Sequence, residues 1–395
     1  MLWKLIYIVV LLLIQFVCNS QNRPLVIGAQ IELSSHILNE KREIYVYLPE
    51  SYHLNSDKRY ITLYIMDGQR YFLNAIAYQQ SLSWQNKAPE FIVVGIKTDN
   101  QKRRELLYVD EQKFINFLKH DLVTYVDGHY RTSKQRFYFG WEMAAGIMPS
   151  ILRMYPDLFQ GYLLASPTHL TEPRLVKASE ALNNKDTAYF GYATLADVEV
   201  WSVAPMRQLD SIFRSNKGAN VMWKYDLVKN ENHHSTPLRT INEGLNFYFK
   251  DYGPIRFYNL KEFEEFGGLR ALYRFYHQRG RKYGILGDVH EDTKHFLFLE
   301  AWREDNVKQF KAFDGEFGLH NFLSGRYNNP VLYSRYGSFY LAHGMYQQAL
   351  QLFRKGLEGH PNNLGLHEKM AKTYLVLGER KKAKEHLKKV SALKE

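Results

Sequence analysis

The chain is nearly without cysteine. Cys18 is the single one among 395 residues. Downstream of it there is no disulfide framework, no cysteine nucleophile and no thiolate zinc site. That argues against a small disulfide-stapled domain and is compatible with a periplasm or cell surface. No glycine-rich phosphate loop is visible, so nucleotide binding has no support. Long apolar runs are also missing. The N-terminal run from Leu5 to Val17 is too short for a comfortable membrane span. With Lys4 before it and the small residues Asn19-Ser20 after it, the run has the layout of a secretory signal. The expectation is a signal over residues 1–20 with a cut before Gln21. It implies a periplasmic, cell-surface or secreted protein with no stable membrane span after cleavage. Lipidation of Cys18 is the alternative, although Gln15-Phe16-Val17 is a poor lead-in to a lipidated cysteine.

What is present is a composition for a large core: 45% hydrophobic and 15% aromatic residues, too apolar for wholesale disorder. The formal net charge is +11, and much of it is local. Arg380, Lys381, Lys382, Lys384, Lys388 and Lys389 crowd the last stretch, which reads as a solvated helix face. No nucleic-acid motif accompanies the charge, so no nucleic-acid partner is expected. His233 and His234 are adjacent rather than spaced like a helical metal pair. No metal and no cofactor are expected.

Residues 42–49, Tyr60 to Met66, Phe91 to Ile96, Arg136 to Phe139, Gly161 to Ala165, Thr187 to Tyr192 and Val221 to Leu227 read as strands. Helical spacing appears over Phe114 to Val126. Strands that alternate with helices, most of them nearly all apolar, predict a mostly parallel sheet buried on both faces. From about Gly253 the pattern becomes helix after helix. Tyr340, Gly344 and Ala349 recur as Tyr374, Gly378 and Ala383, each pair 34 residues apart. That period with those small residues is the tetratricopeptide (TPR) signature. Two units are visible and at least three are usually needed, so helices near Phe296 to Phe313 are expected to supply a neighbour or cap. The expected organisation is signal 1–20, α/β domain 21–252, helical connector 253–328 and TPR-like repeats 329–395. The repeats suggest a protein partner.

Several segments, in order, resemble the esterase D and ferric-enterobactin-esterase-like branch of the α/β-hydrolases. They are Ser35 to Arg42 with Tyr47-Leu-Pro-Glu-Ser-Tyr52, Leu63 to Gly68 with Tyr71-Phe72, and Arg104-Glu-Leu106. Tyr130-Arg-Thr132 and Glu231-Asn-His-His-Ser-Thr-Pro237 follow. The resemblance covers roughly residues 30–250 and implies an α/β-hydrolase fold, with TPR-like repeats behind it. It also implies that His233 is the catalytic base.

The stretch Arg136-Phe-Tyr-Phe-Gly-Trp-Glu-Met-Ala-Ala-Gly146 reads as a strand that turns sharply at Gly140 into a helix, the setting of a nucleophile elbow. The resemblance aligns Gly140-Trp141-Glu142-Met143-Ala144-Ala145 with the family's G-H-S-x-G-G. Glu142 then stands where serine is expected, and alanine replaces both following glycines. Backbone N–H groups of Met143 and Gln69 are the implied oxyanion donors. The orienting acid should follow the strand that begins near Thr187; Asp197 is placed first and Glu199 second. A Glu142 beside His233 would favour the imidazolium. These readings favour an esterase-like protein that keeps a pocket for a small ester or acyl ligand with little or no hydrolysis. Two alternatives stay open: a carboxylic ester hydrolase using Glu142 and His233, and a TPR interaction scaffold.

Overall fold

The computed structural model describes residues 25–54, 56–98, 100–182, 188–216 and 221–395. The expected signal, with Cys18, lies outside them. The chain forms two compact units, one through Tyr248 and one from Phe249.

The first unit is an eight-stranded sheet: β1 (Ala29–Ser35), β2 (Glu40–Tyr47), β3 (Tyr60–Met66), β4 (Ile92–Ile96), β5 (Thr132–Trp141), β6 (Gly161–Ala165), β7 (Tyr189–Ala196) and β8 (Val221–Val228). Their spatial order is β1-β2-β4-β3-β5-β6-β7-β8. The β1–β2 and β2–β4 pairs are antiparallel and all others are parallel. Every residue of β3, β4, β6 and β7 is buried. Helices cover both faces of such strands, so continuous apolar runs rather than alternation encode them. The edge strand β1 is instead mostly exposed. Seven helices matter here: α1 (Gly68–Trp84), α2 (Asn100–Arg104), α3 (Met143–Gly146), α4 (Met148–Met154), α5 (Glu172–Leu182), α6 (Val200–Ser215) and α7 (Thr236–Tyr248). The helical stretch 105–129 contains two π-helical segments, Glu105–Val109 and Phe117–Val123. Parallel strands all end at one edge, and in open α/β sheets that edge carries the ligand site.

The second unit is all helical: α8 (Leu260–Phe266), α9 (Gly268–Tyr283), α10 (Glu291–Arg303), α11 (Val307–Phe317), α12 (Leu319–Ser324), α13 (Pro330–Ala342), α14 (Tyr346–Gly359), α15 (Leu364–Val376) and α16 (Arg380–Lys394). The 34-residue period is written into the helix ends. Asn329 and Asn363 cap α13 and α15 through their side chains. Gly344 and Gly378 take φ of 73° and 76° in the turns that follow, a conformation glycine adopts without a Cβ penalty. The neighbour that two repeats lack is supplied by α11. Phe310, fully buried, packs its ring against Tyr336, Phe339 and Tyr340 of α13 at 5.3, 4.7 and 5.3 Å. Burying one such side chain is worth about 1.5–3 kcal/mol. Among the described residues no helix is long and apolar enough to cross a membrane.

Candidate active site

The site is built at the carboxyl ends of β3, β5, β6 and β7. Strand β5 runs through Trp141, and the chain reverses at Glu142, which has φ 57° and ψ −121°. The chain thus begins its turn after Gly140-Trp141 and puts Glu142 at the tip. A glutamate held at positive φ is strained, and such strain concentrates at functional sites. Neighbouring backbone pins the turn. The Glu142 N–H donates to the Ala165 carbonyl at 3.0 Å, and the Glu142 carbonyl accepts from Gly146 and Thr168 N–H groups at 3.0 and 3.2 Å. Gly140 is required by close approach: a Cβ there would lie 2.5 Å from the Ala144 carbonyl group.

The Glu142 carboxylate does not reach His233. It pairs with the Nη1 group of Arg103, at the end of α2. Arg103 is itself buried and over-determined. Its Nε donates to both Asp67 oxygens at 3.1 and 3.3 Å, and its Nη2 donates to Asp67 at 3.0 Å and to the Trp141 carbonyl at 2.8 Å. Asp67, at the end of β3 with φ 54°, also accepts from the Thr98 hydroxyl. One guanidinium thus ties the ends of β3 and β5 together and is shared between two carboxylates. The expected pairing of Glu142 with His233 is therefore corrected. Among the described residues no ion pair joins them.

The partner of His233 is Glu199. His233 Nδ1–H donates to Glu199 Oε1 at 2.6 Å. The other oxygen, Oε2, accepts from the Ser166 hydroxyl at 2.6 Å and from the Ala196 N–H at 2.9 Å. Glu199 is fully buried. Burial works to raise its carboxyl pKa, but the hydrogen bonds from His233, Ser166 and Ala196 together hold it below the usual carboxylate range. With Nδ1–H committed to Glu199, Nε2 is the ring nitrogen left for a substrate. The His233 loop is fastened from the other side too: the Trp141 indole N–H donates to the His233 carbonyl at 2.8 Å, and the two rings lie 5.0 Å apart.

Asp197, placed first as the acid, does not hold that position. It is exposed in the turn after β7, and its N–H donates to the Val228 carbonyl. The turn then brings Glu199 back over the strand end, with the Glu199 N–H bonded to the Ala196 carbonyl at 3.0 Å. Ser166 is buried and spent on Glu199 and Thr236. Gln69 and Met143 lie in the first turns of α1 and α3, where helix N–H groups have no intrahelical acceptor. Strands β3 and β5 pair in parallel with Ile65 opposite Phe139, so both helices start at the same edge. Sequence reasoning missed Arg103 and Asp67 as parts of the site. Their one visible signal was the stretch next to Arg104-Glu-Leu106 and the Asp67-Gly68 pair.

A family model described as "Putative esterase" matches residues 35–241, about half of the chain. The chain belongs to this esterase family. Behind the esterase domain, a tetratricopeptide-repeat model matches residues 340–394. Among solved structures, an IroE-like serine hydrolase from Shewanella oneidensis is similar at 17% identity and a TM-score of 0.57, covering 73% of this chain and 98% of its own. An uncharacterised protein from Capnocytophaga ochracea is similar at 20% identity and a TM-score of 0.64, covering 83% and 93%. The siderophore hydrolase EstB from Aspergillus nidulans is similar at 14% identity and a TM-score of 0.50, covering 60% and 100%. At these identities the likeness shows the shared fold. No curated protein matches the chain.

Proposed function

We propose that this esterase-family protein binds a small ester or acyl ligand in its first unit without hydrolysing it at an esterase's rate, because Glu142 stands where the family carries its nucleophilic serine. The observation that carries this reading is the ion pair of Glu142 with Arg103. An esterase serine gives its proton to the histidine as it attacks. A carboxylate tied to a guanidinium has no proton to give, and its attack on an ester would yield an anhydride, a poor intermediate. The turn, the His233–Glu199 pair and the first-turn N–H groups of Gln69 and Met143 remain, and these are parts that hold a carbonyl ligand. In the same reading the TPR helices bind a protein partner, and residues 1–20 direct export.

The test is hydrolysis of p-nitrophenyl acetate by the purified wild type and by Glu142→Ser. We expect the wild type to stay near the buffer rate. The serine variant should exceed it by about tenfold or more, since an oriented base and oxyanion donors each contribute factors of this size or larger. Robust wild-type turnover abolished by Glu142→Ala or His233→Ala overturns the proposal. The intact His233–Glu199 pair favours a second reading, an ester hydrolase in which Glu142 is the nucleophile or His233 and Glu142 act on water. Turnover with oxygen-18 entering Glu142 in labelled water marks the nucleophile; turnover with the label only in the product acid marks attack by water.

A further inference from the structure

Residues 380–394 of the second unit hold seven cations and a single carboxylate, Glu385. Two of the cations are used inside the unit: Lys382 pairs with Glu379, and Lys394 reaches Glu368 of α15 at 3.3 Å. Arg380, Lys381, Lys384, Lys388 and Lys389 are the other five. All are exposed, and among the described residues none is in an ion pair. Against them stand Glu385 and, past the helix end, Glu395, both exposed. His386 adds no charge at neutral pH: burial first, then His367, Lys389 and Arg354, hold its imidazole below the ordinary range. The outer face of α16 is therefore positive at neutral pH through its lysines and arginine alone.

At about 3.6 residues per turn, Arg380, Lys381, Lys384 and Lys388 fall within about 100° of the helix surface and run about 12 Å along it. The buried residues Ala383 and Val390 lie outside that arc. Helix formation does not call for this stripe. Arg380 and Lys384, and Lys384 and Lys388, are like charges at i and i+4, which repel. Arg380, Lys381 and Lys382 also crowd the positive end of the helix dipole, in a first turn that has no acidic residue and no side-chain cap. The repeat supplies an internal comparison. Its period of 34 sets Arg380, Lys381 and Lys384 against Tyr346, Gln347 and Leu350 of α14, so the equivalent helix forms without cations at three of the four places. A solvated outer face needs only polar residues, best of mixed sign. One sign in one stripe points to an anionic partner.

The composition of the stripe selects among anionic partners. Lysine is depleted at protein–protein interfaces, which anchor on aromatic residues, and residues 380–394 contain no Phe, Tyr or Trp. A nucleic-acid reader carries aromatics for stacking or Asn and Gln for base edges, and this stretch has neither. Point charges on long flexible stems suit a smooth anionic layer instead. Leu387, 45% exposed, stands one turn beyond Lys384 at the edge of the stripe, where an apolar side chain can dip among headgroups. We propose that the outer face of α16 docks this protein on an anionic lipid bilayer, with Arg380, Lys381, Lys384 and Lys388 against the headgroups and Leu387 at their margin. The contact is peripheral, and it is independent of the reading of the first unit as a ligand site.

Co-sedimentation of the full chain with vesicles tests it. We expect binding to phosphatidylcholine vesicles with about 30% phosphatidylglycerol to exceed binding to pure phosphatidylcholine by about tenfold or more at about 0.1 M salt, and the excess to vanish near about 0.5 M salt. The pure vesicles measure whatever the apolar run Leu5 to Val17 binds. Arg380→Gln, Lys381→Gln, Lys384→Gln and Lys388→Gln should each weaken the excess by about fivefold, and the four together should abolish it. The quadruple variant should melt no lower than wild type, because its like-charge pairs are gone. Lys308→Gln with Lys311→Gln, at exposed lysines of α11, should leave binding unchanged. Equal binding to both vesicles, a quadruple variant that keeps the excess, or loss of the excess in the α11 variant overturns the proposal. A quadruple variant that melts clearly below wild type assigns the cations to the fold and overturns it too. So does tighter binding, per negative charge, of polyglutamate or polyphosphate than of the anionic vesicles, which assigns the face to a soluble polyanion.

Discussion

Replacing Arg103 by methionine tests the central ion-pair arrangement. The variant keeps much of the side chain's length and removes all five N–H groups. Two arms are lost together, and they differ in value. Asp67 is 1% exposed and keeps only Thr98 as a side-chain donor, so it becomes a buried carboxylate without its cation. Breaking such a buried pair from one side costs about 3–5 kcal/mol. Glu142, with a side chain 27% exposed, can turn to water, and its arm is worth about 1 kcal/mol or less. Arg103→Met should therefore cost about 3–5 kcal/mol, and Glu142→Gln about 1 kcal/mol or less. Trp84, Trp141, Trp201 and Trp223 all lie in the first unit, so tryptophan fluorescence during urea unfolding reports mainly on that unit. Adding Asp67→Asn to Arg103→Met should recover part of the loss, because no buried charge is then left unpaired. An Arg103→Met variant within about 1 kcal/mol of wild type, or a Glu142→Gln variant as costly as it, would refute the reasoning.

Three further outcomes follow from the site. Ser166→Ala removes one donor from the buried Glu199 carboxylate and should cost about 1.5–3 kcal/mol by urea unfolding; a neutral result would deny Ser166 its role in fixing Glu199. The folded pKa of Glu199 lies below its ordinary value of 4.5, so its stabilising contribution is complete above that value and is lost as pH falls through the folded pKa. Unfolding midpoints measured from neutral to acidic pH should accordingly fall more steeply for wild type than for Glu199→Gln below about pH 4.5. Gly140→Ala pushes a methyl group against the Ala144 backbone and should lower stability by about 1–3 kcal/mol in a thermal melt; an unchanged melting temperature would contradict the close packing of α3 on β5.

The buried strands were legible because both faces are covered. Ile92–Ile96 and Gly161–Ala165 are unbroken apolar runs, and Tyr60–Met66 is interrupted only by the buried Thr62. β1 was not, because its inward set is only Ile31, Leu33 and Ser35, alternating with the exposed Gln30, Glu32 and Ser34, too few apolar residues to stand out. The end of β7 was read too early. Ala193 to Ala196 are mostly small and continue the strand, which moves the following turn and with it the choice of acid. Asp197 looked right by distance along the chain; Glu199 is right because the turn folds its side chain back onto the Ala196 N–H. Arg103 had only its neighbour Arg104-Glu-Leu106 to mark it, and its partners Asp67 and Glu142 are 36 and 39 residues away. Position 142 could be placed at the elbow from its flanking residues, but its partner could only be placed in three dimensions.

The indole of Trp141 holds the carbonyl of His233, and the same residue's own carbonyl is held by Arg103. The loop that bears the imidazole is therefore moored to the elbow strand as well as to its own helix. A guest that nudges the tryptophan sideways would drag the histidine with it, so occupancy on one side of the site would be felt on the other without any hinge opening.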